Sequence, residues 1–102
     1  MKYREDKIAG AIAREMTARA QTLAVAESCT GGMLGASITE MPGASEFFRG
    51  GVIAYHDDVK RQLLKVRREA VEEVGAVSEP VAQQMALGVR AALSADYGIG
   101  IT

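Results

Sequence analysis

Apolar residues along the first half of the chain change between helical and strand-like spacing. Between positions 8 and 16, Ile, Ile, Ala and Met recur at helical intervals with charged residues mostly elsewhere, which predicts an amphipathic helix packed on a sheet. The run Thr-Leu-Ala-Val-Ala at 22–26 has the length and Val/Leu content of a buried strand. Apolar residues at 33–41 return to helical spacing, and the sequence Pro-Gly-Ala-Ser at 42–45 predicts a turn after them.

The second half repeats this alternation. A second strand is predicted at 49–55, where Gly50 and Gly51 weaken its first part or mark a bulge. Asp57 is a suitable N-cap for a helix at 58–64.

Three more elements complete the prediction. A short helix at 68–73 ends at Gly75, and residues 76 and 77 form a brief extended piece. Ser78 is a plausible N-cap for a long helix with apolar residues between 81 and 93. The last segment, 97–102, has the character of a buried strand.

Strands separated by helices favour right-handed crossovers between parallel strands. The chain has 102 residues, of which 48% are hydrophobic and 25% charged, and this length is too short for two independent cores. We therefore expect one α/β domain over residues 1–102, a three-layer α/β/α sandwich with a parallel or mixed sheet.

Composition excludes several classes of protein. A formal charge of −1 and five aromatic residues disfavour a nucleic-acid module, which usually has a basic face with stacking aromatics. No run approaches the roughly 20 apolar residues of a membrane span, and no signal-peptide core follows the charged start. One cysteine, Cys29, and one histidine, His56, do not make a typical zinc site. We expect a cytoplasmic protein without a metal, a membrane partner or a nucleic-acid partner.

The sequence Glu-Ser-Cys-Thr-Gly-Gly at 27–32 is the strongest candidate for chemistry. It lies between a predicted strand and a predicted helix start, which is where open α/β folds usually bind ligands. One interpretation is structural: Ser28 or Thr30 caps the helix, and the two glycines permit close packing. A second is a phosphate-binding turn, although the Walker lysine and the Gly-x-Gly-x-x-Gly spacing are both absent.

A third interpretation is nucleophilic catalysis by Ser28, which needs a base to take its proton. His56 is one choice, although no spacing shows that the two residues meet. Lys60 is another, but it would have to be largely unprotonated, and most lysines on helices are simply solvated. Cys29 is the more nucleophilic neighbour, yet small cysteines are often buried and inert.

Four blocks of the sequence resemble the CinA carboxy-terminal domain family in both order and spacing. They are the segments at 26–32, at 42–45, at 49–55 with Lys60, and at 75–82. The resemblance covers roughly residues 8–102. It implies nicotinamide-nucleotide amidase activity, in which the carboxamide of nicotinamide mononucleotide is hydrolysed to nicotinate mononucleotide and ammonia without a cofactor.

The resemblance also implies roles for particular residues. Ser28 matches the family serine taken as the nucleophile, and Lys60 matches the lysine regarded as its base. Tyr55 matches a tyrosine that could orient the lysine or contact the nicotinamide. Backbone N–H groups at the start of the helix could hold either the oxyanion or the phosphate. The implied substrate-binding residues are Thr30, Gly31, Gly32 and Thr102.

The chain departs from the family pattern in two places. Members commonly read Tyr-Ser-Asn-Glu-Ala-Lys where this chain has Tyr-His-Asp-Asp-Val-Lys at 55–60, which keeps the tyrosine and the lysine. The family also continues past the strand at 98–102 into a Gly-Ile-Ala-Gly-Pro loop and further strands that contribute to the nucleotide pocket. The expected alternative to the enzyme is therefore a truncated, non-catalytic interaction module, and an open sheet edge leads us to expect self-association into a homo-oligomer.

Overall fold

The computed structural model describes residues 2–102, with side chains described from Lys7 onward. The described chain contains five α-helices and three β-strands, with a short 3₁₀ turn at Ala44–Glu46. In chain order they are α1 (Lys2–Ala18), β1 (Leu23–Glu27), α2 (Met33–Thr39), β2 (Phe48–Ile53), α3 (Asp57–Leu64), α4 (Arg68–Val74), α5 (Glu79–Ala92) and β3 (Tyr97–Ile101).

The strands form one parallel sheet in the order β2-β1-β3. Glu27, the last residue of β1, pairs with Ile53 on one side and with Ile101 on the other, so all three strands end at the same edge. The prediction of an α/β fold is confirmed, and of the two sheet types left open the structure has the parallel one.

The two faces of β1 support two separate apolar clusters, as the alternation of side chains along a strand requires. Leu23 and Val25 pack with Ile38 of α2 and with residues of α1. Ala24 and Ala26 pack with a second cluster from α3 and α5. The sheet is thus covered by helices on both faces, which confirms the three-layer sandwich.

Glycines allow α5 to lie very close to its neighbours. A side chain at Gly100 of β3 would collide with the carbonyl oxygen of Ala82, and one at Gly88 would collide with that of Leu64. Helix α5 therefore rests almost backbone to backbone on β3 and on the end of α3, and this close approach fixes the position of both helices above the sheet edge.

Several local predictions need correction. Residues 76–78 form a bend and not an extended piece, because their backbone turns directly into α5. The N-cap of α3 is His56, whose side chain accepts a hydrogen bond from the Asp58 N–H, and Asp57 is already helical. Strand β2 covers Phe48–Ile53, so Tyr55 lies beyond its end. Helix α2 ends at Thr39.

Other local predictions are confirmed. The strand β2 carries the expected bulge: Leu23 pairs with Phe48 and Ala24 with Gly50, which leaves one extra residue between them, and Gly50 has a φ of 133°. Gly75 ends α4 with a φ of 85°, and the Ser78 hydroxyl accepts a hydrogen bond from the Val81 N–H at the start of α5.

Candidate functional site

The ends of the three strands bring Ser28, Tyr55 and Thr102 to one edge of the sheet. The Ser28 N–H donates to the Ile101 carbonyl at 2.9 Å, and the Ala54 N–H donates to the Glu27 carbonyl at 2.7 Å. Neighbouring strands in a sheet lie about 4.8 Å apart, so segments of the chain that are far apart in sequence meet here. The carboxyl edge of an open parallel sheet is where such folds bind ligands.

Ser28 lies on the face of the sheet that α3 and α5 cover. Ala24 and Ala26 face the apolar cluster of these helices, and Ser28 continues the same alternation because its N–H still pairs with β3. The residue is only 7% exposed. Its hydroxyl makes no side-chain hydrogen bond within the described part of the chain, so it does not cap the helix that follows.

Lys60 is a lysine inside the fold. It is 2% exposed, because it lies one helical turn before the buried Leu64 on the inward face of α3. Its Nζ donates to the carbonyl oxygen of Tyr55 at 3.2 Å and lies 3.4 Å from Asp57 Oδ1. These contacts hold the amine at the end of β2, beside the end of β1.

The structure thus brings Ser28 and Lys60 to the same edge and the same face of the sheet. No hydrogen bond links Ser28 Oγ to Lys60 Nζ among the residues described. The partners of the amine are a backbone carbonyl and a carboxylate.

Tyr55 and His56 follow β2 and have different tasks. The carbonyl of Tyr55 orients Lys60, while its ring is 74% exposed and faces solvent. His56 Nδ1 accepts the hydrogen bond from the Asp58 N–H at 3.1 Å, so the imidazole caps α3. Among the described residues, no hydrogen bond joins His56 to Ser28.

Glu27 lies next to Ser28 in sequence but on the opposite face. Its Oε1 accepts from the Thr30 hydroxyl at 2.7 Å and from the Leu34 N–H at 2.9 Å, and its Oε2 accepts from the Gly35 N–H at 2.8 Å. Burial raises the pKa of Glu27, but the hydrogen bonds from Thr30, Gly35, Leu34 and Gly32 together outweigh it and lower the pKa below its ordinary value.

The structural interpretation of a capping Ser28 or Thr30 is wrong in its detail. The N-cap of α2 is Gly32, which has a φ of 106° and provides no side-chain cap. The Glu27 carboxylate caps α2 instead, because it accepts a hydrogen bond from the Leu34 N–H. The Thr30 hydroxyl donates to the same carboxylate. No local pattern in the sequence indicates that one carboxylate would bind so many donors.

The backbone N–H groups of the turn are partly occupied. The Gly31 N–H donates to the Ser28 carbonyl, and the Met33 N–H donates to the Thr30 carbonyl. Within residues 2–102, the N–H groups of Cys29 and Thr30 have no protein acceptor. These two donors directly follow Ser28.

Thr102 anchors the segment that precedes α5. Its hydroxyl donates to the carbonyl of Ala76 at 2.8 Å, and this contact joins the end of β3 to residues 75–78. Like Ser28, Thr102 lies on the α5 face, because it follows Gly98 and Gly100 in the alternation of β3. Sequence reasoning could not anticipate this contact or the role of Asp57 beside Lys60, since both depend on how separate elements pack.

Two kinds of feature are absent from the described chain. No group of three or more His, Cys, Asp or Glu residues that could hold a metal ion occurs there. None of the helices in that part of the chain has the length and apolar character needed to cross a bilayer.

The fold and site define a class: a parallel α/β domain with a serine and a buried lysine at the carboxyl edge of its sheet. Residues 5–102 match the model of the CinA C-terminal domain. The chain belongs to the CinA C-terminal domain family.

Similar proteins place this domain within longer chains. The chain is 55% identical to a CinA-like protein of Thermosynechococcus vestitus and 54% identical to one of Synechocystis, in each case over 96% of this chain and 24% of the relative. It spans about a quarter of the length of these curated relatives.

Solved structures agree with the fold in detail. The competence damage-inducible protein A of Klebsiella pneumoniae is 37% identical, with a TM-score of 0.87 over 90% of this chain and 57% of that one. The competence/damage inducible protein of Agrobacterium tumefaciens is 35% identical, with a TM-score of 0.87 over 90% of this chain and 56% of that one.

Proposed function

We propose that this domain supplies the serine and the lysine of an amidase acting on nicotinamide mononucleotide. The observation that carries the proposal is a buried lysine, Lys60, held at the same sheet edge and on the same face as the unbonded hydroxyl of Ser28. Burying a lysine is costly unless its amine is hydrogen-bonded and paired, and here the Tyr55 carbonyl and the Asp57 carboxylate are the partners that keep the amine at this edge. We infer that the amine held there is the proton acceptor of the Ser28 hydroxyl.

The reaction proceeds in two halves. Ser28 Oγ attacks the carboxamide carbon while Lys60 Nζ takes the hydroxyl proton, and the carbonyl oxygen becomes an oxyanion. The oxyanion collapses, the C–N bond breaks, and Lys60 returns the proton to the nitrogen, which leaves as ammonia. Water then adds to the acyl carbon while Lys60 takes one of its protons. The C–O bond to Ser28 breaks, Lys60 returns that proton to Ser28 Oγ, and nicotinate mononucleotide is released.

The N–H groups beside the nucleophile favour an oxyanion as their ligand. The N–H of the residue that follows a nucleophile is a common oxyanion donor in α/β hydrolases, and here Cys29 and Thr30 offer this group without a protein acceptor in the described chain. The first N–H groups of α2 are already bonded to the Glu27 carboxylate, which would repel a phosphate at that helix start. We therefore assign the turn to the oxyanion.

Tyr55 and Thr102 complete the proposed site. The exposed ring of Tyr55 offers a flat surface on which the nicotinamide ring can stack. Thr102 holds residues 75–78 against the end of β3 through the Ala76 carbonyl, so it shapes the opposite wall of the site. Gly31 and Gly32 serve the site through their left-handed backbone, with φ values of 61° and 106°, which L side chains rarely adopt.

Ammonia release from nicotinamide mononucleotide tests the proposal. The Ser28→Ala variant is expected to lose turnover by about 10³-fold or more, because removal of a nucleophile leaves only binding and oxyanion stabilisation. Cys29→Ser is the matched control next to it and should keep turnover close to that of the unmodified chain. Ammonia release by Ser28→Ala equal to that of the unmodified chain would sink the amidase proposal.

An interaction module is the second candidate function, and one surface favours it. A groove of about 610 Å³ lies between α3 and α5, with Leu63 and Leu87 largely exposed along it. Exposed apolar surface of this kind often binds another protein. Light scattering tests this candidate: a homo-oligomer that Leu87→Ser converts to a monomer would support it, and a monomer at all concentrations would exclude self-association.

A further inference from the structure

Glu27 binds the turn that carries the proposed nucleophile at three separate places. Its two oxygens accept hydrogen bonds from the Thr30 hydroxyl, the Leu34 N–H and the Gly35 N–H. The side chain is 2% exposed, so water does not compete for these donors. One carboxylate therefore joins the end of β1 to the first turn of α2 across residues 28–33.

The turn needs such an anchor because of its glycines. Gly31 and Gly32 both have left-handed backbone conformations, with φ values of 61° and 106°, and glycine loses more conformational freedom on ordering than any other residue. Within the turn itself, the backbone hydrogen bonds are Gly31 N–H to Ser28 carbonyl and Met33 N–H to Thr30 carbonyl. The carboxylate supplies additional restraints from outside the turn.

We propose that Glu27 is the positioning residue of the nucleophile turn, acting as a buried acceptor of hydrogen bonds at the start of α2. It fixes Ser28 and the N–H groups of Cys29 and Thr30 relative to one another without touching the substrate. The inference rests on the proposed amidase function for its catalytic consequence only. Its structural part concerns the order of residues 28–35 and stands independently.

The charge of Glu27 is as important as its shape. Both carboxylate oxygens accept, and each is bonded to at least one donor. In Glu27→Gln an NH₂ group replaces one carboxylate oxygen. This group is a donor, so it cannot accept a hydrogen bond from the Gly35 N–H or, in the other orientation, from Thr30 and Leu34. The variant has nearly the same volume, so its effect isolates the lost acceptor and the lost charge.

The first experiment measures the order of the turn without using turnover. Cys29 is the single cysteine of the chain and its side chain is exposed, so its rate of alkylation by iodoacetamide reports on the turn. Hydrogen exchange of the Leu34 and Gly35 amides reports on the anchor itself. In Glu27→Gln we expect faster exchange at both amides by about tenfold or more and an altered alkylation rate.

The second experiment measures the catalytic consequence. Glu27→Gln is expected to lower kcat for nicotinamide mononucleotide by about 100-fold, because small displacements of reacting groups have effects of this size, while KM changes little. Thr30→Val removes one of the bonds to the carboxylate and should give a smaller loss. The exposed Glu72→Gln is the matched control and should leave kcat, exchange and alkylation unchanged.

The outcomes separate the two proposals. Unchanged exchange, alkylation and kcat in a folded Glu27→Gln variant would overturn the positioning role. If the unmodified chain releases no ammonia, the amidase proposal fails, but the exchange and alkylation rates still decide whether Glu27 orders the turn. If Glu27→Gln does not fold, Thr30→Val removes the bond between the carboxylate and the turn itself, and an unchanged alkylation rate at Cys29 in that variant would count against the anchor.

Discussion

Glu27 and Ser28 are neighbours in the chain, yet their surroundings are opposite. The Glu27 carboxylate is surrounded by donors from the start of α2. The Ser28 hydroxyl, on the other face of the sheet, has no hydrogen-bond partner in the described structure and lies at the edge where Lys60 is held. Both carboxylate oxygens of Glu27 are hydrogen-bonded, whereas the Ser28 hydroxyl is not within the described chain.

The difference arises because the two faces of a parallel strand contact different layers of helices. Because side chains alternate across a strand, consecutive residues at its end belong to different faces and different layers of helices. The α2 face holds the carboxylate that bonds to Thr30 and to the start of α2, while the α3 and α5 face holds the proposed reactive groups. In the proposed site, Ser28 can remain unbonded because Glu27 supplies the order.

The largest expected effect comes from Lys60 on the reactive face. Lys60→Met should lower ammonia release from nicotinamide mononucleotide by about 10²- to 10⁴-fold, the range typical of a lost general base. The fold should persist, because Asp57, the carboxylate that loses its partner, has a side chain that is 52% exposed and can be solvated by water. Lys7→Met, at an exposed position on α1, is the control. If Lys60→Met retains turnover, Lys60 is not the base, and His56 becomes the candidate base.

The next effect concerns the packing on that same face. Gly100→Ala is expected to lower the free energy of unfolding by about 3 kcal/mol, since the added methyl group collides with the Ala82 carbonyl of α5. In Gly10→Ala the methyl group meets only side-chain atoms at 3.4 Å and 3.5 Å, and a gain of about 0.5–1 kcal/mol is expected in α1. Urea unfolding of both variants provides the measurement, and equal midpoints would contradict the close packing of α5.

Much of the fold could be predicted because the apolar pattern of each element is strong. The run at 22–26 and the helical stripe at 81–93 gave elements that the structure contains as β1 and α5. The bulge could be predicted from Gly50. The bend at 76–78 could not, because alanine and valine have no local signal against extension and the direction there is set by α5 and Thr102.

The candidate site was less accessible to sequence reasoning. Ser28 could be selected from its place between a strand and a helix, and Lys60 only from the family resemblance. The hydrogen bond from Lys60 to the Tyr55 carbonyl depends on how α3 packs against the sheet. The sequence predicts Asp57 as the N-cap of α3, whereas the structure has His56 there. Both residue types accept backbone hydrogen bonds, and the two positions are adjacent.

A smaller effect on the α2 face depends on pH. The pKa of Glu27 in the folded chain is lowered from its ordinary value of 4.5, so its contribution to stability is present above that value and is lost as the pH falls through the lowered pKa. Glu27→Gln should therefore be less stable than the unmodified chain at pH 7, and the difference should shrink in acid. Urea midpoints at pH 7 and pH 3 measure it. An equal difference at both values would contradict an anionic anchor.

The smallest effect tests whether Tyr55 contributes to the proposed site through two separate parts, its backbone carbonyl and its ring. Its carbonyl orients Lys60 and its ring faces solvent, so Tyr55→Ala should leave kcat nearly unchanged and raise KM by about 2- to 10-fold, the value of one aromatic contact. Tyr55→Phe keeps both the ring and the carbonyl and should resemble the unmodified chain in both constants. A large loss of kcat in Tyr55→Phe would show that the phenol hydroxyl, and not the backbone alone, acts on the lysine.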